Sequence, residues 1–286
     1  MIQNSRIKFV FFGTDDFSLA ILEELRKADM LPSLIVTMPD RPKGRGLVLT
    51  SPPAKVWASQ NSIPVIQPEK LDSSFQIKLS KLNFPLFVVA SYGLIIPKEV
   101  LEIPAKGTLN VHPSLLPKYR GATPIESQIL NDEKEVGITI MLMDEQMDHG
   151  SIVAQKKLTL GKTINAIELQ RELAEMGGKM LADNIPKWVE GKIEAKPQEH
   201  PKATYTKKFN KSDGEIILSN DPYKNFLKIQ AFAGSVGTYF FVEKMNKKTR
   251  VGIKSVEFAD GKLTITRVVP EGKKEMSYEE FLRGLR

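Results

Sequence analysis

Two residues, Asn110 and His112, are spaced so that they could act together in catalysis. They lie two positions apart at the end of an apolar segment, and alternate residues of a strand point to the same side. An amide and a protonated imidazole placed in this way can each donate a hydrogen bond to an oxygen that gains negative charge during a reaction. The pair therefore predicts an anion-stabilising site at the tip of a strand.

A carboxylate near the imidazole would keep the ring protonated, and Asp148 is the candidate. It lies in DEQMDHG, after a predicted strand at Gly137–Asp144. A parallel sheet can bring this loop beside the strand tip that carries His112. Spacing alone leaves a plainer alternative, in which Asn-x-His is a satisfied polar pair and the acidic residues form a solvated turn.

Three other kinds of active site find no support in the sequence. A serine hydrolase would need a G-x-S-x-G elbow, which is absent. His112, His149 and Asp148 lack the spacing of a metal motif such as H-E-x-x-H, and the chain has no cysteine for thiolate catalysis or a zinc site. The first predicted strand leads into GTDDFS rather than the G-x-G-x-x-G that a dinucleotide pyrophosphate requires. We therefore predict no metal and no dinucleotide.

Apolar strands alternate with helical patterns through the first half of the chain. Ile7–Gly13, which is apolar apart from Lys8, and Phe84–Gly93 are runs typical of strands buried on both faces. Within Phe17–Met30 the apolar residues recur at helical spacing. This alternation predicts βαβ units and an α/β fold with a Rossmann-like, mostly parallel sheet. Functional sites in such sheets form beyond the carboxyl ends of the strands, where Asn110 and His112 are expected.

The chain has 286 residues, a length that favours two domains. Its composition changes near residue 195, where a polar, proline-containing stretch begins, and the predicted strands beyond it are short. We predict a catalytic domain over residues 1–192, a linker or strap over 193–208, and a small C-terminal β-barrel domain of the OB-like type over 209–286.

The chain is basic, with a net charge of +7 and a pI of about 9.3. Long-range attraction therefore favours a polyanionic partner such as RNA. The loop Pro39–Pro53 carries Arg41, Lys43 and Arg45, and it is either a basic finger that contacts phosphates or an ordinary surface loop. The apolar N-terminal run is short and interrupted by Lys8, so it predicts a buried strand rather than a membrane span or a signal peptide, and we expect a cytoplasmic protein.

These motifs together resemble the 10-formyltetrahydrofolate-dependent formyltransferases. NVHPSLLPKYRGATPI is similar to the family signature, an Asn-x-His followed by Ser-Leu-Leu-Pro and Arg-Gly. ASYGLIIPKEVL resembles the family's folate-pocket segment, and GITIMLMDEQMDHG resembles the strand and loop that carry its essential Asp. The resemblance is close over residues 6–200 and weaker beyond them.

The resemblance implies a metal-free transfer of the formyl group of 10-formyltetrahydrofolate to an amine. The amine attacks the formyl carbon, Asn110 and protonated His112 stabilise the tetrahedral intermediate, and Asp148 keeps His112 charged and helps to move the amine proton. The residues that match the family's folate-binding segments are Ser114, Leu115, Leu116, Pro117, Tyr92, Gly93, Leu94, Ile95 and Ile96.

The acceptor is not fixed by these residues, because members of the family formylate sugars, a purine precursor or methionyl-tRNA. The loop with Arg41, Lys43 and Arg45 resembles one that tRNA-formylating members insert into the acceptor stem. With the C-terminal domain and the basic charge, it predicts initiator methionyl-tRNA as the acceptor of a monomeric enzyme that needs no protein partner. The alternatives are a sugar-nucleotide N-formyltransferase and a non-catalytic RNA-binding protein, and the intact Asn110, His112 and Asp148 argue against the latter.

Overall fold

A computed structural model describes residues 7–43, 46–244 and 247–285 of the protein. Its contacts divide the chain into two compact units. The first runs to Gly121 and includes Gly137–Leu158 and Gln170–Tyr205. The second holds Ala122–Val136, Thr159–Leu169 and the chain from Thr206 onward, so it draws two segments from before residue 192.

The elements follow one another in the order β1 Val10–Gly13, α1 Asp16–Lys27, β2 Leu34–Val36, β3 Arg41–Lys43, β4 Val48–Thr50, α2 Pro53–Gln60, β5 Val65–Ile66, α3 Ser73–Ser80, β6 Phe87–Ala90, α4 Lys98–Leu101, β7 Thr108–His112, α5 Pro124–Leu130, β8 Glu135–Leu142, β9 Ile152–Thr159, α6 Ala166–Val189, α7 Pro222–Ala231, β10 Thr238–Lys244, β11 Lys247–Ala259, β12 Lys262–Pro270, β13 Met276–Ser277 and α8 Tyr278–Arg283. Within the described residues, no helix is long and apolar enough to cross a membrane.

Seven strands form the main sheet, in the order β5-β2-β1-β6-β7-β8-β9. The pairs from β5 to β7 are parallel, and β8 runs antiparallel to β7. The predicted mostly parallel sheet is confirmed. Every residue of β1, β6 and β7 is buried, as expected for central strands covered on both faces.

Helix α1, which follows β1, is specified by its local sequence. Asp15 caps the helix by accepting hydrogen bonds from the amides of Phe17 and Ser18, which satisfies donors that have no partner inside a helix. The helix buries an apolar stripe that includes Ile21 and Leu25. Burying each such side chain stabilises the fold by roughly 1.5–3 kcal/mol.

The C-terminal strands form a four-stranded antiparallel sheet in the order β10-β11-β12-β13. One face of this sheet builds a core with Phe240, Val251 and Val268. The predicted small C-terminal β domain is confirmed. The segment GEIIL forms no strand of this sheet and contributes only an isolated bridge between Glu215 and Tyr239.

Several elements were missed by the sequence patterns. The short helices α3, α4, α5 and α8 were not predicted, because none is long enough to show a sustained period. The Pro39–Pro53 segment was treated as a loop, but it contains a hairpin of β3 and β4. Gly44 and Arg45 lie outside the described residues.

Candidate active site

Strand β7 carries Asn110 and His112 to the edge of the sheet where the parallel strands end. Asn110 pairs in register with Val89 of β6 and Met141 of β8, and His112 lies opposite Thr139 of β8. Both side chains are buried, with 9% and 4% of their surface exposed. The two functional groups therefore lie on one face of a strand that is held from both sides.

A hydrogen bond of the His112 ring shows which ring nitrogen faces the neighbouring carboxylate. Its Nε2 lies 2.9 Å from the carbonyl oxygen of Tyr119, and because a carbonyl only accepts, Nε2 is the donor. Its Nδ1 lies 3.6 Å from Oδ1 of Asp148. The carboxylate therefore lies beside the ring nitrogen that the Tyr119 carbonyl does not use.

Asp148 is held in position by its own backbone and by one amide. Its φ of +50° lies in the left-handed region, which is uncommon for a residue with a side chain. Its Oδ2 accepts a hydrogen bond of 2.7 Å from the amide of Gly121, which leaves Oδ1 for His112. A Cβ at Gly150 would lie 1.8 Å from the carbonyl oxygen of Leu142, so this turn requires a glycine.

The structure thus joins His112 to Asp148, which the sequence left as one of two alternatives. An imidazole paired with a carboxylate and an amide on the same strand face can stabilise negative charge on an oxygen and accept or release a proton. Among the described residues, no group of three His, Asp or Glu side chains is arranged to hold a metal ion.

Sequence reasoning missed a group of polar residues behind the site. Arg120 is the largest fully buried side chain of the described chain, with 1% exposed. Its backbone amide donates to the carbonyl of Thr204, and its guanidinium reaches Gln198, His200 and Tyr205. The sequence signal for this group was the arginine before Gly121. Its partners were missed because the segment from residue 193 onward was interpreted as a linker or strap.

Two histidines extend this polar group. The rings of His149 and His200 stack at 4.0 Å with 5° between their planes. Nδ1 of His149 lies 2.6 Å from Oδ2 of Asp144, and Nδ1 of His200 lies 2.9 Å from Nη2 of Arg120. Because a guanidinium only donates, the His200 nitrogen accepts and its ring is neutral. Partial desolvation, with nearby His149 and Arg120, lowers the pKa of His200.

The residues predicted to bind folate fall into two groups. In the segment after β6, Tyr92 and Ile96 are buried, Gly93 is exposed with a φ of +101°, Leu94 is half-buried, and Ile95 is 85% exposed. In the segment after β7, Ser114 and Leu116 are buried, and Leu115 and Pro117 are half-buried.

The second group is tied to the sheet by its backbone. The hydroxyl of Thr139 donates to the Ser114 carbonyl, and its Oγ1 accepts a hydrogen bond from the Leu116 amide. The Ser114 hydroxyl donates to the carbonyl of Lys118. These contacts shape the loop behind His112, and folate contact by its side chains stays a prediction.

The two strands of the basic hairpin, Arg41–Lys43 and Val48–Thr50, are exposed. Arg41 and Lys43 on β3 are exposed, and Arg45 lies outside the described residues. The hairpin is anchored at its base by Asp40, whose carboxylate accepts from Lys55 at 2.7 Å, Ser51 at 3.1 Å and Gln67 at 2.8 Å. The bond from Lys55, with the other two, lowers the pKa of the Asp40 carboxyl.

Comparison with known proteins identifies the class of protein. Residues 5–185 match the family model described as formyl transferase, and the chain belongs to the formyl transferase family. It is 37% identical to the methionyl-tRNA formyltransferase of Thermodesulfovibrio yellowstonii, covering 96% of this chain and 95% of that protein. It is 38% identical to the protein of the same name from Dictyoglomus turgidum, covering 98% and 97%.

Solved structures share the fold at lower identity. A methionyl-tRNA formyltransferase from Clostridium thermocellum superposes with a TM-score of 0.61 at 17% identity, covering 95% of this chain and 99% of that one. A sugar N-formyltransferase from a Shewanella species gives a TM-score of 0.63 at 18% identity, covering 85% and 95%. At these identities the likeness concerns the fold alone.

Proposed function

We propose that this protein transfers the formyl group of 10-formyltetrahydrofolate to the α-amine of methionyl initiator tRNA. The observation that carries the proposal is the placement of Asp148 Oδ1 3.6 Å from Nδ1 of His112, on a strand that also presents Asn110. The full-length relatives named methionyl-tRNA formyltransferase supply the choice of acceptor.

Each residue of the trio has a role that follows from its position. Bound 10-formyltetrahydrofolate supplies an activated formyl group. As the amine attacks, the formyl oxygen gains negative charge, and donors already fixed in place stabilise that charge without reorganising. Asn110 offers its amide as a donor, and the positive charge of the protonated His112 ring stabilises the oxygen from nearby, while Asp148 keeps the ring charged and takes part in removing the proton of the amine.

The segment after β6 fits a folate ligand in one respect. The hydroxyl of Tyr92 is buried and has no hydrogen-bond partner within the part of the chain that the structure describes. Burial raises the pKa of Tyr92 to about 12, so the hydroxyl stays a neutral donor. A buried hydroxyl without a partner costs free energy, and a polar atom of the ligand would supply the missing bond. Gly93 to Ile96, together with Ser114 to Pro117, complete the proposed folate site.

Two basic surfaces support tRNA as the acceptor, and each lies within one unit. The hairpin presents Arg41 and Lys43, with Arg45 between its strands in the sequence. On the outer face of the C-terminal sheet, Arg250 lies 3.7 Å over the ring of Tyr239, and Lys248 lies 4.1 Å over that of Phe241. Fixed cations on a sheet are suited to phosphates.

We assign residues 1–192 to catalysis, 193–208 to a strap, and 209–286 to tRNA binding.

The test is formylation of purified initiator Met-tRNA with 10-formyltetrahydrofolate as donor. The proposal expects formation of N-formylmethionyl-tRNA. It also expects slower formylation of elongator Met-tRNA and no formylation of a nucleotide-linked amino sugar. Formylation of the sugar nucleotide without formylation of Met-tRNA would overturn it in favour of the sugar-nucleotide alternative. As part of the same proposal, the protein acts in the cytoplasm as a monomer.

A further inference from the structure

The amide of Gln198 lies directly behind the proposed catalytic carboxylate. Gln198 is 4% exposed and belongs to the strap after α6. Its Nε2 donates to the backbone carbonyls of Asp148, at 2.9 Å, and of Gly150, at 2.7 Å. Both hydrogens of the amide are therefore used to hold the turn that carries Asp148.

The other end of the same amide binds Arg120. The Oε1 of Gln198 accepts from Nη2 of Arg120 at 2.7 Å and from Nε at 3.2 Å. The amide can take only this orientation, because a flip would turn its NH₂ toward the guanidinium and its oxygen toward two carbonyls. The side-chain amide of Gln198 therefore has one orientation, with its NH₂ group toward the two carbonyls and its oxygen toward the guanidinium of Arg120.

Arg120 links this amide to the second contact of Asp148. The residue after Arg120 is Gly121, whose amide donates to Oδ2 of Asp148. The backbone of Arg120 is itself fixed to the strap through Thr204. The side chain of Gln198 therefore sets the distance between the turn that carries Asp148 and the backbone amide of Gly121, which orients the Asp148 carboxylate. Asp148 has an unfavourable positive φ, and such a conformation persists only when surrounding contacts impose it.

We propose that Gln198 is a positioning residue that holds the Asp148 carboxylate against His112. The inference rests on the proposed function for its catalytic consequence. The strap is then part of the catalytic machinery rather than a passive connection between two regions. Displacing a catalytic group by about 1 Å can slow a reaction by about 10²-fold.

The first experiment measures the His112 ring without any substrate. The chain has three histidines, so the imidazole NMR signals of the full-length protein can be assigned with His149→Gln and His200→Gln. Gln198→Glu keeps the acceptor for Arg120 and places an oxygen against the two carbonyls. We expect it to move the His112 resonances toward those of Asp148→Asn. Glu199→Gln, at an exposed strap residue paired with Lys202, is the control and leaves them in place.

A double-variant comparison separates positioning from a structural role. If Gln198 acts through Asp148, then Gln198→Glu changes the His112 resonances no further in the Asp148→Asn background. Gln198→Met, of similar length and without polar atoms, is the second variant if the first does not fold. Unchanged His112 resonances in a folded variant, or equal changes with and without Asp148, would overturn the proposal.

The kinetic readout adds the consequence for catalysis. We expect Gln198→Glu to lower kcat by roughly 10- to 100-fold and to change the KM of each substrate by less than about threefold. A raised KM with unchanged kcat would show that Gln198 serves binding instead, and would overturn the positioning role. Because the NMR measurement uses no substrate, failure of the wild type to formylate Met-tRNA would count against the proposed function alone.

Discussion

The proposed catalytic edge of the main sheet, where Asn110, His112 and Asp148 lie, and the β3–β4 hairpin differ in how firmly they are held. Asn110 and His112 are buried on a central strand, and Asp148 is restrained from two directions. The hairpin has two strands of three residues each, all exposed. Such a ribbon is marginally stable by itself, and the cluster around Asp40 anchors only its base.

The difference is consistent with the role proposed for each region. Stabilising charge on a reacting oxygen depends on donors fixed to within a fraction of an ångström. Attraction between arginine or lysine and phosphate acts over a Debye length of about 8 Å at physiological salt, so it tolerates a less rigid support. The catalytic edge should therefore be sensitive to small changes of position, and the hairpin to changes of charge.

Replacing the carboxylate gives the largest expected effect. Asp148→Asn should lower kcat by about 10²–10⁴-fold with little change in either KM, because the negative charge beside His112 is removed. The fold should persist, since Asn tolerates a positive φ as well as Asp does. Single-turnover formylation and circular dichroism measure the two properties. Asp183→Asn, on the exposed face of α6, is the control, and a fully active Asp148→Asn protein would remove Asp148 from its role.

A change of position without a change of charge tests the rigidity of the catalytic edge. Gly150→Ala would place a Cβ 1.8 Å from the Leu142 carbonyl oxygen, so the turn must shift and carry Asp148 with it. We expect kcat to fall by about 10²-fold. Gly161→Ala is the matched control, because nothing lies within 4 Å of its added Cβ. Equal activity of the two variants would contradict the idea that this turn fixes the carboxylate.

The hairpin should respond in binding rather than in chemistry. Arg41→Ala, Lys43→Ala and Arg45→Ala are each expected to raise the KM for tRNA severalfold and leave the folate KM and kcat near their wild-type values. For each phosphate that the variant no longer neutralises, the slope of log affinity against log salt should become shallower by about 0.9. Lys78→Ala, at an exposed lysine of α3, controls for net charge. Equal effects on the tRNA and folate KM values would count against RNA recognition by the hairpin.

The smallest expected effect concerns pH. The pKa of His200 is lowered in the folded protein, so the neutral ring that accepts from Arg120 is present above the ordinary histidine value of about 6.5. As the pH falls below that value, the unfolded chain takes up the proton first, and the stability that this ring contributes declines.

Thermal unfolding of the wild type and His200→Gln between pH 5 and 8 measures this contribution. The difference in Tm between the two proteins should shrink as the pH falls. A constant difference across this range would show that the ring does not titrate in the way its contacts with Arg120 and His149 require.

Much of the fold could be predicted because its signals are local. Continuous apolar runs predicted β1 and β6, helical spacing predicted α1, and the change of composition near residue 195 anticipated a separate C-terminal β region. The hairpin and the short helices could not be found in this way, because so few residues do not repeat a period often enough. The role of Gln198 was hidden for another reason, since its partners Asp148 and Arg120 are 50 and 78 residues away in the chain.

The amino-acid sequence by itself determined the class of chemistry through a long, specific motif that contains Asn110 and His112 and resembles the formyltransferase signature. Their spacing alone left a satisfied polar pair as an alternative. Only the tertiary structure decided that Asp148 stands beside His112 and that a buried amide from the strap stands behind it. Periodicity and motifs report contacts between near neighbours in the chain. A carboxylate 36 residues from its imidazole is brought there by strand order and by the packing of loops at the edge of the sheet.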